Sequence, residues 1–399
     1  MAKTKTKKDF HFKVEPLLKK YPKARYYFLL GARSCGKTYP TIQNALKDAI
    51  DGNGVFVYVR RYKESISDSK LRDLMAPQHE WVEKYTEGQW NHVAYWRHRW
   101  YLERWETDEE TGERRRVAKN PQPIGIAVSM NTWETDKGSD FGSDKGGIAH
   151  MIFDEVLSAG GNYLSDEWGI FQNVISSFVR DRWDKDTKIW MLANPVSKYG
   201  GPYMRNMGIK KSMMKEFGTY ELKYADSDPN KPMTAVFVYI AAVLNAKGET
   251  IDIDENKTNV YNNFFAFPNS KGKSKSITHG YWEMEDANIL PSGVYKDSEL
   301  NRTIWLAFGE ELLAVDIMLY EETEVYYMFV RPTNRIPKNE WFITLDMTLD
   351  RYGIVGLKTG HPIAELLNKI YRTNQVYYAD LESADIFHGF LLEAQKRVA

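Results

Sequence analysis

The chain has 399 residues, enough for two or three domains, and its 54 basic residues balance 54 acidic ones. Zero net charge argues against a protein whose whole surface binds nucleic acid, so any such contact is confined to part of it. Hydrophobic content of 43% and charged content of 27% are those of an ordinary globular protein. Cys35 is the single cysteine, which excludes an intrachain disulfide and fits a reducing cytoplasm. No apolar run approaches a membrane span, and the N-terminus lacks an apolar signal core, so neither a membrane anchor nor secretion is expected. Aromatic residues make up 14%, a share that suits either stacking surfaces or β-rich cores.

Residues 1 to 10 are basic and polar, a solvated tail or a phosphate-backbone contact. Tyr26-Tyr27-Phe28-Leu29-Leu30 is a short aromatic and apolar run, expected as a buried strand. Gly31, Ala32, Arg33, Ser34, Cys35, Gly36, Lys37 and Thr38 then match G-x-x-x-x-G-K-[ST], the phosphate-binding loop. Gly31 and Gly36 permit backbone angles that let successive N–H groups curl around a phosphate. Lys37 brings positive charge to the β and γ phosphates, and the Thr38 hydroxyl can ligate Mg²⁺. Residues 41 to 50 fit the helix whose N-terminus faces the anion, with Pro40 tolerated in a first turn.

Gly52-Asn53-Gly54 turns the chain into Val55-Phe56-Val57-Tyr58-Val59, a strand of β-formers ending in Arg60-Arg61-Tyr62-Lys63. In a parallel sheet the carboxyl ends of strands face the ligand. Arg60 and Arg61 therefore belong near the nucleotide edge or a neighbouring subunit's, with plain surface charge as the competing reading. Residues 64 to 120 are polar, aromatic and charged, with alternating patterns such as Val93-Ala94-Tyr95-Trp96-Arg97. They read as a β-hairpin insertion with residues 107 to 116 at its exposed tip. Residues 121 to 130 return to the sheet, and 131 to 147 form a polar, glycine-rich loop.

His150-Met151-Ile152-Phe153-Asp154-Glu155 is an apolar strand ending in two acids. Behind a phosphate loop, Asp154 is placed to hold Mg²⁺ and Glu155 to polarise the attacking water. Residues 174 to 182 read as a helix ending in Phe178-Val179-Arg180-Asp181-Arg182. Lys188-Ile189-Trp190-Met191-Leu192-Ala193 reads as a strand with Asn194 at its end, a residue that can orient the lytic water or simply form a turn before Pro195. Strands near 26, 55, 124, 149 and 188 make an α/β fold with a parallel central sheet.

Past residue 226 the character changes. Residues 234 to 244 look helical, and 269 to 276 form a Gly/Ser/Lys linker. From 281 the pattern is β-rich, with strands at 303 to 308, 312 to 319, 325 to 330, 341 to 345 and 352 to 357. Helices at 362 to 371 and 384 to 398 close a smaller α+β domain.

These signatures, in order, resemble the DNA-packaging ATPases of phi-29-type tailed phages, a terminase-like motor family. The stretches are Gly-Ala-Arg-Ser-Cys-Gly-Lys-Thr, Val-Phe-Val-Tyr-Val-Arg-Arg-Tyr-Lys, Trp-Glu-Thr-Asp-Lys at 133 to 137, Ile-Phe-Asp-Glu, Val-Arg-Asp-Arg at 179 to 182 and Leu-Ala-Asn-Pro-Val-Ser at 192 to 197. The resemblance covers the N-terminal half well and the rest by overall pattern. It implies an ASCE-type P-loop ATPase domain over 1–226, a small helical linker domain over 227–276, and an α+β RNase H-like, vestigial-nuclease domain over 277–399. It implies ATP and Mg²⁺ as cofactors, and a homo-oligomeric, pentameric ring on the portal protein of the procapsid. That ring would drive double-stranded viral DNA into a preformed capsid, with a structural RNA as a possible further partner. Its place is the host cytoplasm, transiently on the procapsid. Carried over by residue, Lys37 and Thr38 bind phosphate and Mg²⁺, Asp154 holds Mg²⁺ and Glu155 activates water. Arg180 is the trans-acting arginine finger, Arg182 the alternative, and Lys137 a basic residue at the subunit boundary. The insertion around 84 to 120 and the longer C-terminal half depart from the family.

A nuclease of the C-terminal fold needs clustered carboxylates for two metals. Asp316, Asp346, Asp350, Asp380, Glu382 and Asp385 are its acids, of which Asp316 and Asp346 near strand ends could form half a cluster, or be turn and surface acids. Two other functions remain open: a terminase-like ATPase that also cleaves DNA, and a nucleotide-switched DNA-binding assembly protein. Glu155 beside Asp154 argues against the second, since a switch needs no poised base.

Overall fold

A computed structural model describes residues 12–31, 36–136, 146–158, 163–179, 186–194, 202–209, 213, 218–224, 233–240, 243–244, 250–251, 287–290, 298–308, 311–320, 325–337, 340, 342–344, 353–355 and 362–396. Ala32, Arg33, Ser34, Cys35, Lys137, Arg180, Arg182, Asp346 and Asp350 lie outside these residues, as does most of the expected linker domain.

The first sheet is built from runs too apolar to face water. Strands β1 (Tyr26–Gly31), β2 (Val55–Arg60), β6 (Gly125–Ser129), β7 (Ile148–Asp154) and β8 (Lys188–Ala193) are buried nearly throughout. That is what helices or loops on both faces of a parallel sheet require. Alternate residues feed two separate cores. Tyr27, Leu29, Phe56, Tyr58 and Trp190 pack on one face with Ile42 and Leu46 of helix α2 (Thr38–Ile50). Tyr26, Phe28, Val57, Phe153 and Met191 pack on the other with Phe171 of helix α5 (Glu167–Val179). The helix after the phosphate loop starts at Thr38, three residues earlier than expected, because Pro40 sits within its first turn.

Residues 234 to 244, expected as a helix, are instead strand β10 (Met233–Ile240), followed by a two-residue ladder of β11 (Val243–Leu244) with β12 (Thr250–Ile251). Thr234-Ala235-Val236-Phe237-Val238-Tyr239 is rich in β-branched and aromatic residues, which favour the pleated, half-buried surface of a sheet. β10 runs parallel to β1 from Tyr26↔Ala235 to Gly31↔Ile240, and β9 (Gly218–Tyr224) covers its far side antiparallel. The first sheet therefore continues beyond residue 226, where the first domain was expected to end.

At the opposite edge an antiparallel arm replaces the expected single hairpin. It comprises β3 (His92–Trp96), β4 (Arg99–Thr107) and β5 (Arg114–Lys119), and β4 joins the sheet through Arg99↔Ile126 and Trp100↔Gly125. Trp100 anchors it. The indole is fully buried, 5.2 Å from the Phe56 ring and 6.0 Å from the Tyr58 ring. Gly125 opposite Trp100 has no room for a side chain, since a Cβ there would lie 2.3 Å from the Phe56 ring. The overall order is β3-β4-β6-β2-β7-β8-β1-β10-β9, with β5 on β4. Aromatic side chains such as Tyr27, Phe56, Trp100 and Trp190 lie in this sheet's core.

The second sheet has the order β17-β16-β13-β14-β15-β18. Strands β13 (Ser298–Phe308), β14 (Glu311–Tyr320) and β15 (Val325–Pro332) form an antiparallel meander. β16 (Phe342–Thr344) and β17 (Gly353–Val355) extend it in parallel beside β13, and β18 (Val376–Tyr378) in parallel beside β15. Val376–Tyr378 is a strand that the sequence pattern did not announce. Ile370 of helix α7 (Pro362–Arg372) and Phe387 and Phe390 of helix α8 (Leu381–Lys396) close its core.

Candidate functional site

Because β1, β2, β7 and β8 run in parallel, their carboxyl ends share one edge. Gly31, Arg60, Asp154 and Asn194 therefore gather there from four separate parts of the chain. A cavity of about 260 Å³ opens at that edge, lined by Gly36, Lys37, Thr38, Asp154, Glu155 and Asn194 among others. Gly36 has φ +85°, a left-handed conformation that side chains disfavour and that lets the loop curl into the helix. The Thr41 hydroxyl donates to the Lys37 carbonyl at 2.8 Å and secures the first helical turn.

Lys37 is 6% exposed, and its ammonium donates to the Gly31 carbonyl at 2.6 Å and the Asn194 Oδ1 at 3.1 Å. The end of β1, the start of α2 and the end of β8 are thus joined through one cation. Asp154 accepts the Tyr58 hydroxyl at 3.0 Å and lies 3.7 Å from the Arg60 guanidinium. Burial pushes its pKa up, against the pull of Arg60 and of the Tyr58 hydrogen bond. Glu155 has φ +60° and a side chain 59% exposed, and Arg60 donates to its Oε2 at 2.5 Å. Arg60 accordingly sits on the two acids at the strands' carboxyl edge.

Arg61 does something the sequence did not suggest. It turns inward and pairs with Glu167, with Nε at 2.8 Å from Oε2 and both side chains buried. Its other nitrogens donate to the carbonyls of Glu155 at 3.1 Å and Val156 at 2.6 Å. Glu167 also accepts the Tyr203 hydroxyl at 2.6 Å and the Leu164 N–H at 2.7 Å. This network bolts the turn after Asp154 to the start of α5 and to helix α6 (Pro202–Asn206). Two successive residues at a strand end point to opposite faces, so one of Arg60 and Arg61 had to meet the interior and demand a buried anion. That was the available signal for Glu167.

A second buried chain holds α2 from behind. The Trp190 indole N–H donates to His150 Nδ1 at 3.0 Å, which places the proton on Nε2, and that nitrogen faces Asp48 at 2.7 Å. The hydrogen bond to His150 holds the Asp48 carboxyl below its ordinary pKa.

The C-terminal acids are differently disposed. Asp316 is sealed in the second sheet, accepting the Thr303 hydroxyl at 2.7 Å and Arg331 Nε at 2.6 Å. Asp380 accepts the Ser383 N–H at 2.7 Å and caps α8. Glu382 is exposed and Asp385 is buried. Among the described residues no three His, Cys, Asp or Glu side chains gather as a metal site, and no helix is long and apolar enough to cross a membrane.

Fold and site together define an α/β protein with a large, mostly parallel sheet and a strand–glycine turn–helix facing an Asp-Glu strand end. The particular proteins it is similar to are viral packaging motors. The DNA packaging protein of Bacillus phage B103 is 24% identical over 200 residues, 49% of this chain and 51% of the relative, so the match spans about half of each. Among solved structures, the viral genome packaging motor assembly of bacteriophage Phi-29 aligns with TM-score 0.53 at 15% identity, covering 97% of this chain and 100% of that one. The Phi-28 gp11 DNA packaging motor aligns with TM-score 0.51 at 14% identity, covering 96% and 98%. At such identities the structural likeness establishes the fold, here over both halves of the chain. No protein-family model matches.

Proposed function

We propose that the chain is the ATP-hydrolysing subunit of a motor that moves double-stranded viral DNA through the portal into a preformed capsid. The observation that carries this is the convergence of Lys37, Asp154, Glu155 and Asn194 on one cavity at the strands' carboxyl ends. The likeness to packaging motors along the whole chain supports the choice among nucleotide-hydrolysing proteins.

Each side chain has a task that its surroundings fit. The backbone from Gly31 to Thr38 and the start of α2 receive the phosphates. The Lys37 ammonium, already fixed by Gly31 and Asn194, meets the β and γ phosphates without having to be ordered first. Glu155 takes the proton from the attacking water, its carboxylate oriented by Arg60 at Oε2. Asn194, beside Lys37, is within reach of the γ phosphate and the water. Asp154 and Thr38 line the same cavity with hard oxygen donors, and a single carboxylate suits Mg²⁺, which keeps waters and substrate phosphates in its remaining positions. When bound, the ion would neutralise charge developing on the transferred phosphoryl group.

The ring, its pentameric count, Arg180 or Arg182 as a finger reaching the neighbouring site, and Lys137 at the subunit boundary belong to this proposal. So do the portal, a structural RNA, and action on the procapsid in the host cell. We assign the second sheet to an RNase H-like domain, because a three-stranded meander extended by two parallel strands beside its first strand is the order of that fold. The first domain extends to residue 240, with β10 as its last strand.

Steady-state ATP hydrolysis with and without double-stranded DNA, for wild type and Glu155→Gln, tests the reading. Stimulation by DNA in the wild type and loss in the variant are expected. Hydrolysis that persists in the variant would remove Glu155 as the base, and indifference to DNA would remove the motor.

A further inference from the structure

The antiparallel arm carries its charge in two blocks. By strand register the tip, residues 106 to 115, holds five carboxylates and two cations, whereas 92 to 105 and 116 to 119 together hold five cations and one carboxylate. That carboxylate, Glu103, is buried and engaged by Arg116 at 2.8 Å and by the Trp105 indole N–H at 2.9 Å. At the tip, Asp108 accepts the N–H groups of Glu110 and Thr111 and fixes the turn, leaving Glu109, Glu110 and Glu113 exposed.

The root of the arm presents the opposite charge around an exposed indole. Trp96 is 50% exposed and pairs across β3 and β4 with Arg99, so both point the same way. The Arg97 guanidinium stands 4.4 Å from the Trp96 ring centroid. The Lys119 ammonium stands 5.4 Å from it and 4.0 Å from the Tyr101 ring. Cation–π contact holds these long side chains in place around the indole. The two poles cannot meet within one chain. β4 is extended between them and spans roughly 25 Å at about 3.3 Å per residue, well beyond the Debye length of about 8 Å at physiological salt. Cations on an edge strand also blunt edge-to-edge pairing, but that needs no separation of the two signs.

We infer that the arm joins copies of this chain head to tail, the acidic tip of one copy docking on the Trp96 face of the next. The surfaces in contact differ, so the association is heterologous and propagates into a ring or filament. The inference rests on reading the chain as a subunit of an assembly, and it is independent of ATP hydrolysis.

The test uses the full chain without nucleotide, followed by sedimentation velocity. One variant reverses the tip (Glu109→Lys with Glu110→Lys). The other reverses the root (Arg97→Asp with Arg99→Glu), aspartate being chosen because Arg97 has φ +47° and aspartate tolerates left-handed backbone. Each variant alone should self-associate about tenfold or more weakly than wild type, since like charges then face each other. An equimolar mixture should recover wild-type association, because each tip then meets a root of opposite sign. A thermal melt checks the fold, and Glu109→Gln with Glu110→Gln serves as a milder variant with a smaller expected loss. A wild type that stays monomeric, variants that associate like wild type, or a mixture without recovery would each overturn the inference. So would a root reversal that weakens binding to a short DNA duplex but leaves self-association unmoved; that face would then belong to nucleic acid. Loss of ATPase activity with association intact would speak only to the catalytic reading.

Discussion

Asp154 and Asp316 each lie in a central sheet, and the two sheets treat them in opposite ways. Asp154 ends a parallel strand, beside neighbouring strands that end at the same edge. Its charge faces a cavity, its pKa is pushed up by burial, and Arg60 stands 3.7 Å away. Asp316 lies within an antiparallel meander, where the next strands supply partners directly. Thr303 is opposite it in register, and Arg331 is two residues along from its other neighbour, Phe329. One carboxylate keeps a face toward a cavity and the other is enclosed by its partners. Topology decides this more than residue type does: parallel ends pool ligands at one edge, whereas antiparallel pairing settles charges across the strands.

The comparison breaks most sharply at Glu155. Glu155→Gln should lower the hydrolysis rate by about 10²–10⁴-fold while the thermal melt stays close to wild type, because the side chain is 59% exposed and its ion pair with Arg60 is solvent-screened. Any C-terminal acid substituted by its amide should leave the rate within a few-fold of wild type. Next in size are the two buried ion pairs, read by denaturant unfolding. Glu167→Ala strands the buried Arg61 cation and should cost about 3–5 kcal/mol. Asp316→Ala should cost less, about 1–3 kcal/mol, because Arg331 is 35% exposed and turns to water. Equal costs would undo the distinction between a sealed pair and a water-accessible one.

Asp154→Asn should act in opposite senses on activity and stability. A folded pKa raised above the unfolded one means that stability from this group is present below the unfolded value and is lost as pH rises through the folded value. At neutral pH the ionised side chain therefore strains the fold. The amide should raise the melting temperature while abolishing Mg²⁺-dependent hydrolysis, and a lower melting temperature would contradict the assignment. The smallest effect lies at the arm. His79, opening helix α4 (His79–Tyr85), lies with its ring 4.1 Å from that of His92 and tilted 51° to it, and its pKa is lowered to about 4 by burial and then by His92. Its stability is present above the unfolded value of about 6.5 and is lost as pH falls toward 4. After allowance for solvent screening, about 1–2 kcal/mol of acid sensitivity should vanish in His79→Gln, measured by unfolding at pH 7 and pH 5.

Local chemistry made much of the site legible. A glycine turn with Lys37, an apolar strand closing on Asp154-Glu155, and a strand ending at Asn194 each declare themselves within a dozen residues. What stayed hidden depends on partners far along the chain. Glu167 lies 106 residues from Arg61, in a stretch with no motif. Tyr58 looked like one more β-former until its hydroxyl met Asp154. Residues 233 to 240 alternate little between apolar and polar, and a continuous apolar run of that length does not distinguish a helix from a doubly buried strand. Its identity came from β1, which needed a neighbour.

The sequence by itself determined the strand, glycine turn and helix around Lys37, the two acids and the parallel sheet that presents them, because backbone-conforming glycines and apolar runs act through their nearest neighbours. Only the tertiary structure decided which arginine faces the site and which braces it from within. It also decided where the first sheet ends, and which aspartate faces a cavity while another is sealed by its partners. Those outcomes depend on which strands lie side by side and which way they run, and burial and pairing are properties of that arrangement rather than of any single stretch.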